Sequence, residues 1–231
     1  MTASNEDRTI WGRPMGEVDT NTTLLLVRHG ETTWNVEGRV QGHRHSNLTD
    51  RGWDQTRRTV HRLANVKLDA VYSSDLQRAH EAAELIAASH QLKAKLLPAL
   101  RERNFGVLEG KTLNESARTA GSWLIQWQAD RLLKSPPDGE SQPDMSERVM
   151  EALRKIAAAH PGKSVAVITH GGPIKSAIYD ILRIPLSLWD LTFIGNGSIT
   201  TLRGIPDVMR VACFSDTCHL EATSTKDTME G

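Results

Sequence analysis

A chain of 231 residues, 39% of them hydrophobic, is ample for one α/β domain with a sizeable core and short for two. Its 28 Lys and Arg residues balance its 28 Asp and Glu residues, so no global field recruits nucleic acid or an anionic membrane, and any anion site has to be a local cluster of Arg and His. Nothing near the N-terminus has the pattern of a signal peptide and no apolar run approaches bilayer length, so the expected compartment is the cytosol. The cysteines, Cys213 and Cys218, lack a second Cys pair and are expected as reduced thiols rather than as a metal site.

Residues 1–22 mix polar residues without periodicity and read as an N-terminal extension; residues 23–220 read as a single domain. Leu24 to Val27 form a short apolar run of the kind that fills a central strand. It stops at Arg28-His29-Gly30, where ligands usually bind in an open α/β sheet. Arg28 offers a donor fork for phosphate and neutral His29 a ring nitrogen that can attack phosphorus. Residues 31–47 are polar and Gly-punctuated, as in a loop over a site. Thr49 then caps a helix whose Trp53, Val60, Leu63 and Ala64 are predicted to share the buried face.

Residues 68–73 predict a second strand, with Ser74 or Asp75 capping a helix carrying Leu76, Ala79, Ala83 and Ile86. Arg78 falls in its first turn, where free backbone N–H groups favour an anion. Residues 94–97 predict a third strand, followed by Arg101-Glu102-Arg103. Residues 113–133 read as one helix with Trp123, Leu124, Trp127 and Leu132, its aromatics serving core or lid packing. Arg118, Arg131 and Lys134 there are candidate contacts for an acidic substrate. Residues 145–159 predict a helix and 164–169 a buried strand, which stops at a second junction, His170-Gly171-Gly172-Pro173, before a further helix. Residues 198–203 and 208–214 predict two more strands near the end of the domain, with an edge available for homodimer pairing, and residues 221–231 read as a mobile polar tail.

Neighbouring strand ends would bring Arg28, His29, His170 and Arg78 around one point, a donor pocket for a tetrahedral dianion. No spacing of carboxylates with histidines suggests a divalent ion; His43 and His45 are read as a solvated loop rather than metal ligands.

RHGETTWN at 28–35, QG at 41–42, SSDLQRAHEAAELI at 73–86, LRERNFGVLEGKT at 100–112, PDGES at 137–141 and THGGPIK at 169–175 stand in the order found in the histidine phosphatase superfamily, which the chain resembles. The resemblance implies a phosphoglycerate mutase-like three-layer α/β/α sandwich, its mostly parallel sheet covered by helices on both faces. It implies that His29 becomes phosphohistidine, that Arg28, Arg78 and His170 hold the phosphoryl group, and that Glu102 is the general acid. It also implies that Asn35, Gln41, Gly42 and Gly171 line the phosphate or substrate, that no cofactor or metal is needed, and that the partner is a small phosphomonoester. Glu102 must start protonated, which Arg101 and Arg103 oppose, so both arginines are expected to point away from the pocket.

In the mutases of this superfamily a Tyr follows the acidic Glu and a paired Arg grips the substrate carboxylate. Here Phe105 stands in place of the Tyr and Trp127-Gln128-Ala129 contains no Arg pair. Hydrolysis by a metal-independent phosphomonoesterase is therefore expected over a cofactor-dependent mutase, with a non-catalytic binding protein as the third reading.

Overall fold

The computed structural model describes residues 20–119 and 122–221, and the readings made for residues 1–19 and 222–231 lie outside them. In chain order the elements are β1 (Thr22–Arg28), α1 (Thr33–Glu37), α2 (Asp50–Leu63), β2 (Ala70–Ser73), α3 (Gln77–Ser89), β3 (Ala94–Leu96), α4 (Leu113–Thr119), α5 (Ser122–Ala129), α6 (Gln142–Ala159), β4 (Ser164–Thr169), α7 (Gly171–Leu182), β5 (Ile199–Ile205) and β6 (Val208–Asp216).

The strands form one sheet in the order β3-β2-β4-β1-β5-β6. The first four run parallel, while β5 is antiparallel to both of its neighbours. Period-two alternation explains why Leu24 to Val27 of β1 are all apolar. Leu24 and Leu26 enter one core with Met145, Leu153, Ile174 and Ile178 of α6 and α7. Leu25 and Val27 enter the other with Leu63 of α2 and Ala79, Ala83 and Ile86 of α3. Helices on both faces of a mostly parallel sheet make the α/β/α sandwich. No helix among the described residues is long and apolar enough to cross a membrane.

After β1 the chain leaves toward the α2–α3 face, and after β4 toward the α6–α7 face. The register sets Arg28 beside Thr169, so the two strands end together. Between such diverging connections an open sheet leaves a crevice. That crevice carries the candidate site.

Several elements differ from the sequence reading. The stretch 31–47 contains α1, because Thr32 and Asn35 form a capping box: Thr32 accepts from the Asn35 N–H while Asn35 accepts from the Thr32 N–H. On α2 the buried residues are Gly52, Gln55, Thr56, Thr59 and Leu63; Val60 is half-buried against the core, Trp53 is half-buried and Ala64 is exposed. This face meets loops that need polar partners: the Glu31 N–H donates to Gln55 at 2.8 Å and Thr59 reaches the Gly197 carbonyl at 3.1 Å. Gly30 and Gly52 make the approach feasible, since a Cβ on Gly30 would lie 2.2 Å from the Gly52 oxygen. The single helix expected over 113–133 is two helices followed by a turn, which the Trp127 indole closes by donating to the Lys134 carbonyl at 3.0 Å. Helix α6 starts earlier than expected, at Gln142, because Ser141 and Asp144 form a second capping box. At α3 the cap is Leu76; Ser74 instead accepts from the Leu76 N–H and serves the site described next.

Candidate active site

Arg28 and His29 leave the carboxyl end of β1, and His170 caps α7 at the end of β4. The two imidazoles meet edge to face with ring centroids 5.1 Å apart. Arg78, in the first turn of α3, reaches the same point and is 2% exposed despite its charge. What holds it is a cradle of carbonyls: its guanidinium donates to Gly42 at 2.7 Å and to Arg44 at 3.0 Å. Gly42 has φ +54°, and a Cβ there would lie 1.9 Å from Glu109 Oε1. Only a glycine lets this loop close on Arg78 while Glu109 stays in place.

The hydrogen bonds choose the tautomer of His29. Nδ1 lies 2.7 Å from the Gly30 carbonyl, an acceptor only, so the ring proton resides on Nδ1 and donates to it. Nε2 then carries the lone pair. It faces Arg78 Nε at 3.3 Å, a long contact that a better acceptor readily displaces. Burial, reinforced by Arg78 and Arg28, pushes the His29 pKa well below that of an ordinary histidine, against a small opposing effect of the Gly30 hydrogen bond. The nucleophilic form is thus the resting form at neutral pH.

Burial also lowers Arg28, and it takes Arg78 to about 10, in both cases against the attraction of Glu102. Among the described residues neither guanidinium has a carboxylate at ion-pair distance. Arg28 donates to the Ile194 carbonyl, and its Nε is buried with no partner. His170 is fully buried, and burial first, then Arg78, drives its pKa well down. Its Nε2 meets the Ser74 hydroxyl at 2.8 Å, and its Nδ1 has no partner. The Ser74 O–H has no acceptor among the described residues other than His170 Nε2, so it donates there and the ring proton falls on the orphan Nδ1. Two buried cations and two unpartnered buried donors at one point suit an anion rich in oxygens.

Glu102 lines a cleft of about 390 Å³ together with Arg28, His29 and Arg78. Its carboxylate accepts from the Arg103 N–H at 2.8 Å and from the Gly172 N–H at 3.1 Å, and its carbonyl lies 2.9 Å from His43 Nε2. Of the residues expected from sequence, Arg28, His29, Asn35, Gln41, Gly42, Arg78, Glu102 and Gly171 line this cleft. His170 does not; it is buried directly against His29. The Asn35 side-chain oxygen is used in its capping box and by Asn196, while the Gln41 oxygen is buried without a partner.

Arg101 points away, to Asp75, as expected. Arg103 does not: it is 3% exposed and lines the cleft, its guanidinium held by the Glu140 and Lys134 carbonyls. Of the three candidate lid cations only Arg131 reaches the cleft, paired with Asp190; Arg118 and Lys134 are exposed and off its wall. Trp127 is buried in a small cluster with Leu108 and Leu124 and turns one edge to the cleft. No group of three potential metal ligands occurs among the described residues, and His45 pairs with Asn47. Cys213 and Cys218 are exposed and unbridged.

Sequence reasoning did not find Lys175, Trp189, Thr192 or Ile194, all on the cleft wall, nor the supports Ser74, Glu109 and Asn196. For Lys175 a signal existed: it follows Gly171 by four residues on a helix and so shares its face. Residues 186–194 reach the cleft only through tertiary folding, when Tyr179 donates to Leu188 and Arg28 to Ile194.

The histidine phosphatase superfamily (branch 1) pattern matches residues 24–217. Over 204 residues the chain is 38% identical to a metal-independent phosphoserine phosphatase of Arabidopsis thaliana, covering 87% of this chain and 84% of that protein. It is 35% identical to phosphoglycerate mutase-like protein 4 of the same plant, covering 87% of each. Among solved structures, YhfR of Bacillus stearothermophilus superposes with a TM-score of 0.80 at 34% identity, over 87% of this chain and 100% of that one.

Proposed function

This chain belongs to the histidine phosphatase superfamily, branch 1, and from that premise we propose that it hydrolyses a small phosphomonoester through a phosphohistidine on His29, without a metal. The observation that carries the reading is the lone pair of His29 Nε2, set by the Nδ1–Gly30 hydrogen bond, in a cleft that the buried guanidiniums of Arg28 and Arg78 and the carboxylate of Glu102 also line.

Nε2 attacks phosphorus as the bond from phosphorus to the ester oxygen breaks, and Glu102 gives its proton to that oxygen, releasing an alcohol. Arg28, Arg78 and the Nδ1 donor of His170 take the charge on the phosphoryl oxygens, the work that metal ions do in other phosphoryl transfers. Glu102, now a carboxylate, takes a proton from water as the water oxygen attacks phosphorus. The phosphorus–nitrogen bond breaks, leaving inorganic phosphate, neutral His29 and protonated Glu102.

The test uses p-nitrophenyl phosphate with excess chelator and no bisphosphorylated primer. The wild type should release inorganic phosphate and show an acid-labile phosphorylated species that His29→Ala lacks. Undiminished turnover by His29→Ala would overturn the nucleophile assignment. Strict dependence on a bisphosphorylated primer, with little free phosphate, would move the chain to the mutase reading.

A further inference from the structure

The sequence reading of His43 and His45 as a solvated loop holds for His45, which is exposed and meets Asn47, but not for His43, which is half-buried. Its Nε2 lies 2.9 Å from the Glu102 carbonyl. A carbonyl only accepts, so the ring proton sits on Nε2 and is donated to it. His43 does not line the cleft and touches no reacting atom. The backbone around it does serve the site: the Gly42 and Arg44 carbonyls accept from Arg78 at 2.7 and 3.0 Å, and the His43 N–H donates to Glu109 at 2.8 Å. Residues 42–44 thus hold an arginine of the phosphoryl pocket through their backbone and the acid-bearing residue through one side chain.

The peptide unit between Glu102 and Arg103 gives that side chain its leverage. The unit is planar, so its carbonyl and its N–H turn together. His43 holds the carbonyl end, and the N–H end donates to the Glu102 carboxylate at 2.8 Å. Orientation therefore passes from the imidazole through one rigid plane to the group that gives the proton. Arg148 also donates to this carbonyl, at 2.9 Å, but it serves the Ala99 and Arg101 carbonyls and the Glu140 carboxylate as well, and so fixes residues 99–102 to α6. His43 fixes the same plane to the phosphoryl pocket. The carboxylate's other contact, with the Gly172 N–H at 3.1 Å, is the longer of its two.

We propose that His43 is a positioning residue that sets the Glu102 carboxylate relative to the arginine-lined phosphoryl pocket; this rests on the phosphatase reading and deepens it. Replacing the side chain leaves the backbone contacts of residues 42–44 in place, so Arg78 keeps its cradle while the acid loses its setting. Two probes share a nitrophenyl ring: p-nitrophenyl phosphate, whose leaving oxygen departs unprotonated, and p-nitrobenzyl phosphate, whose alkoxide must be protonated. His43→Leu should lose about 10- to 100-fold in kcat/KM on the nitrobenzyl ester and under about 3-fold on the nitrophenyl ester, since a misplacement of about 1 Å can cost about 100-fold. His43→Gln, whose amide N–H takes the place of the imidazole donor, should recover the nitrobenzyl ester to within about 3-fold of wild type. The ratio of the two values within one preparation does not depend on how much of the enzyme is folded. An unchanged ratio in His43→Leu, whether both esters fall together from a loosened Arg78 cradle or neither falls, would overturn the proposal, as would a His43→Gln ratio no better than that of His43→Leu. A wild type that cleaves the nitrophenyl but not the nitrobenzyl ester has no working acid for His43 to place and defeats this inference alone, whereas one that cleaves neither defeats the phosphatase reading beneath it.

Discussion

Gly172→Ala should separate catalysis from stability at this site. A Cβ added at Gly172 would lie 2.1 Å from Glu102 Oε1 and 3.1 Å from both Glu102 Cδ and Met145 Cε. The near atom is the free end of a flexible side chain, so the carboxylate yields and the helix does not. Glu102 then loses the N–H groups of Gly172 and Arg103, at 3.1 and 2.8 Å, and turns toward solvent, where water replaces them. In a helix alanine is favoured over glycine by up to about 1 kcal/mol, which offsets much of that loss. The net change in stability should stay within about 1 kcal/mol, or roughly 2–4 °C in melting temperature for a domain of this size. Catalysis has no such compensation, since a general acid contributes about 10²- to 10⁴-fold. In kcat/KM, which reports the phosphorylation of His29 and not the later attack of water, an alkyl phosphate, whose leaving oxygen needs a proton, should lose at least about 100-fold, and p-nitrophenyl phosphate, whose leaving group departs unprotonated, under about 10-fold. Steady-state kinetics on both esters, with thermal melts, provide the assay. Wild-type kcat/KM on the alkyl phosphate, or equal losses of kcat/KM on the two, would refute the placement of the acid.

Acid should unfold this protein earlier than its surface carboxylates alone would predict. His29 and His170 are held neutral in the folded state by burial and by the arginines, while in the unfolded chain each binds a proton near pH 6.5. The unfolded state therefore gains protons first, and stability falls as pH drops below about 6.5, by about 1.4 kcal/mol per pH unit for each histidine until the folded state protonates too; urea midpoints from pH 7.5 to 5 that stay flat would contradict this. Glu109 Oε1 accepts from the His43 and Phe105 N–H groups at 2.8 and 3.0 Å, tying the loop that cradles Arg78 to the loop that follows Glu102. Glu109→Ala strands two N–H groups and should cost about 2–5 kcal/mol by denaturant melts, whereas Glu109→Gln keeps an acceptor and should cost less than half as much; an unchanged midpoint in the alanine variant would rule out the tie.

Local signals reached the catalytic end of the molecule because it is built from junctions that sequence displays. A buried strand is a run of apolar residues, its end is a Gly, and the polar residue at that end has nowhere to go but the crevice, which places Arg28, His29 and His170 together. The lid side was less legible. Arg118, Arg131 and Lys134 look alike along the chain, yet only Arg131 reaches the cleft. The choice among them depends on where α5 stops, and that is decided when the Trp127 indole finds the Lys134 carbonyl. The polar buried face of α2 was misread for a related reason: Gln55 and Thr59 are buried because remote loops bring them an N–H and a carbonyl, and no helical period encodes such partners.

What sequence alone determined was the sandwich and the neighbourhood of His29, since strand burial, helix spacing and six ordered motifs are all local in the chain. What only the tertiary structure decided was protonation and charge balance: which nitrogen of His29 is free, which way Arg103 faces, and which cations are left without a partner. Those depend on desolvation and on carbonyls brought from tens of residues away, and such distances exist only once the chain has folded.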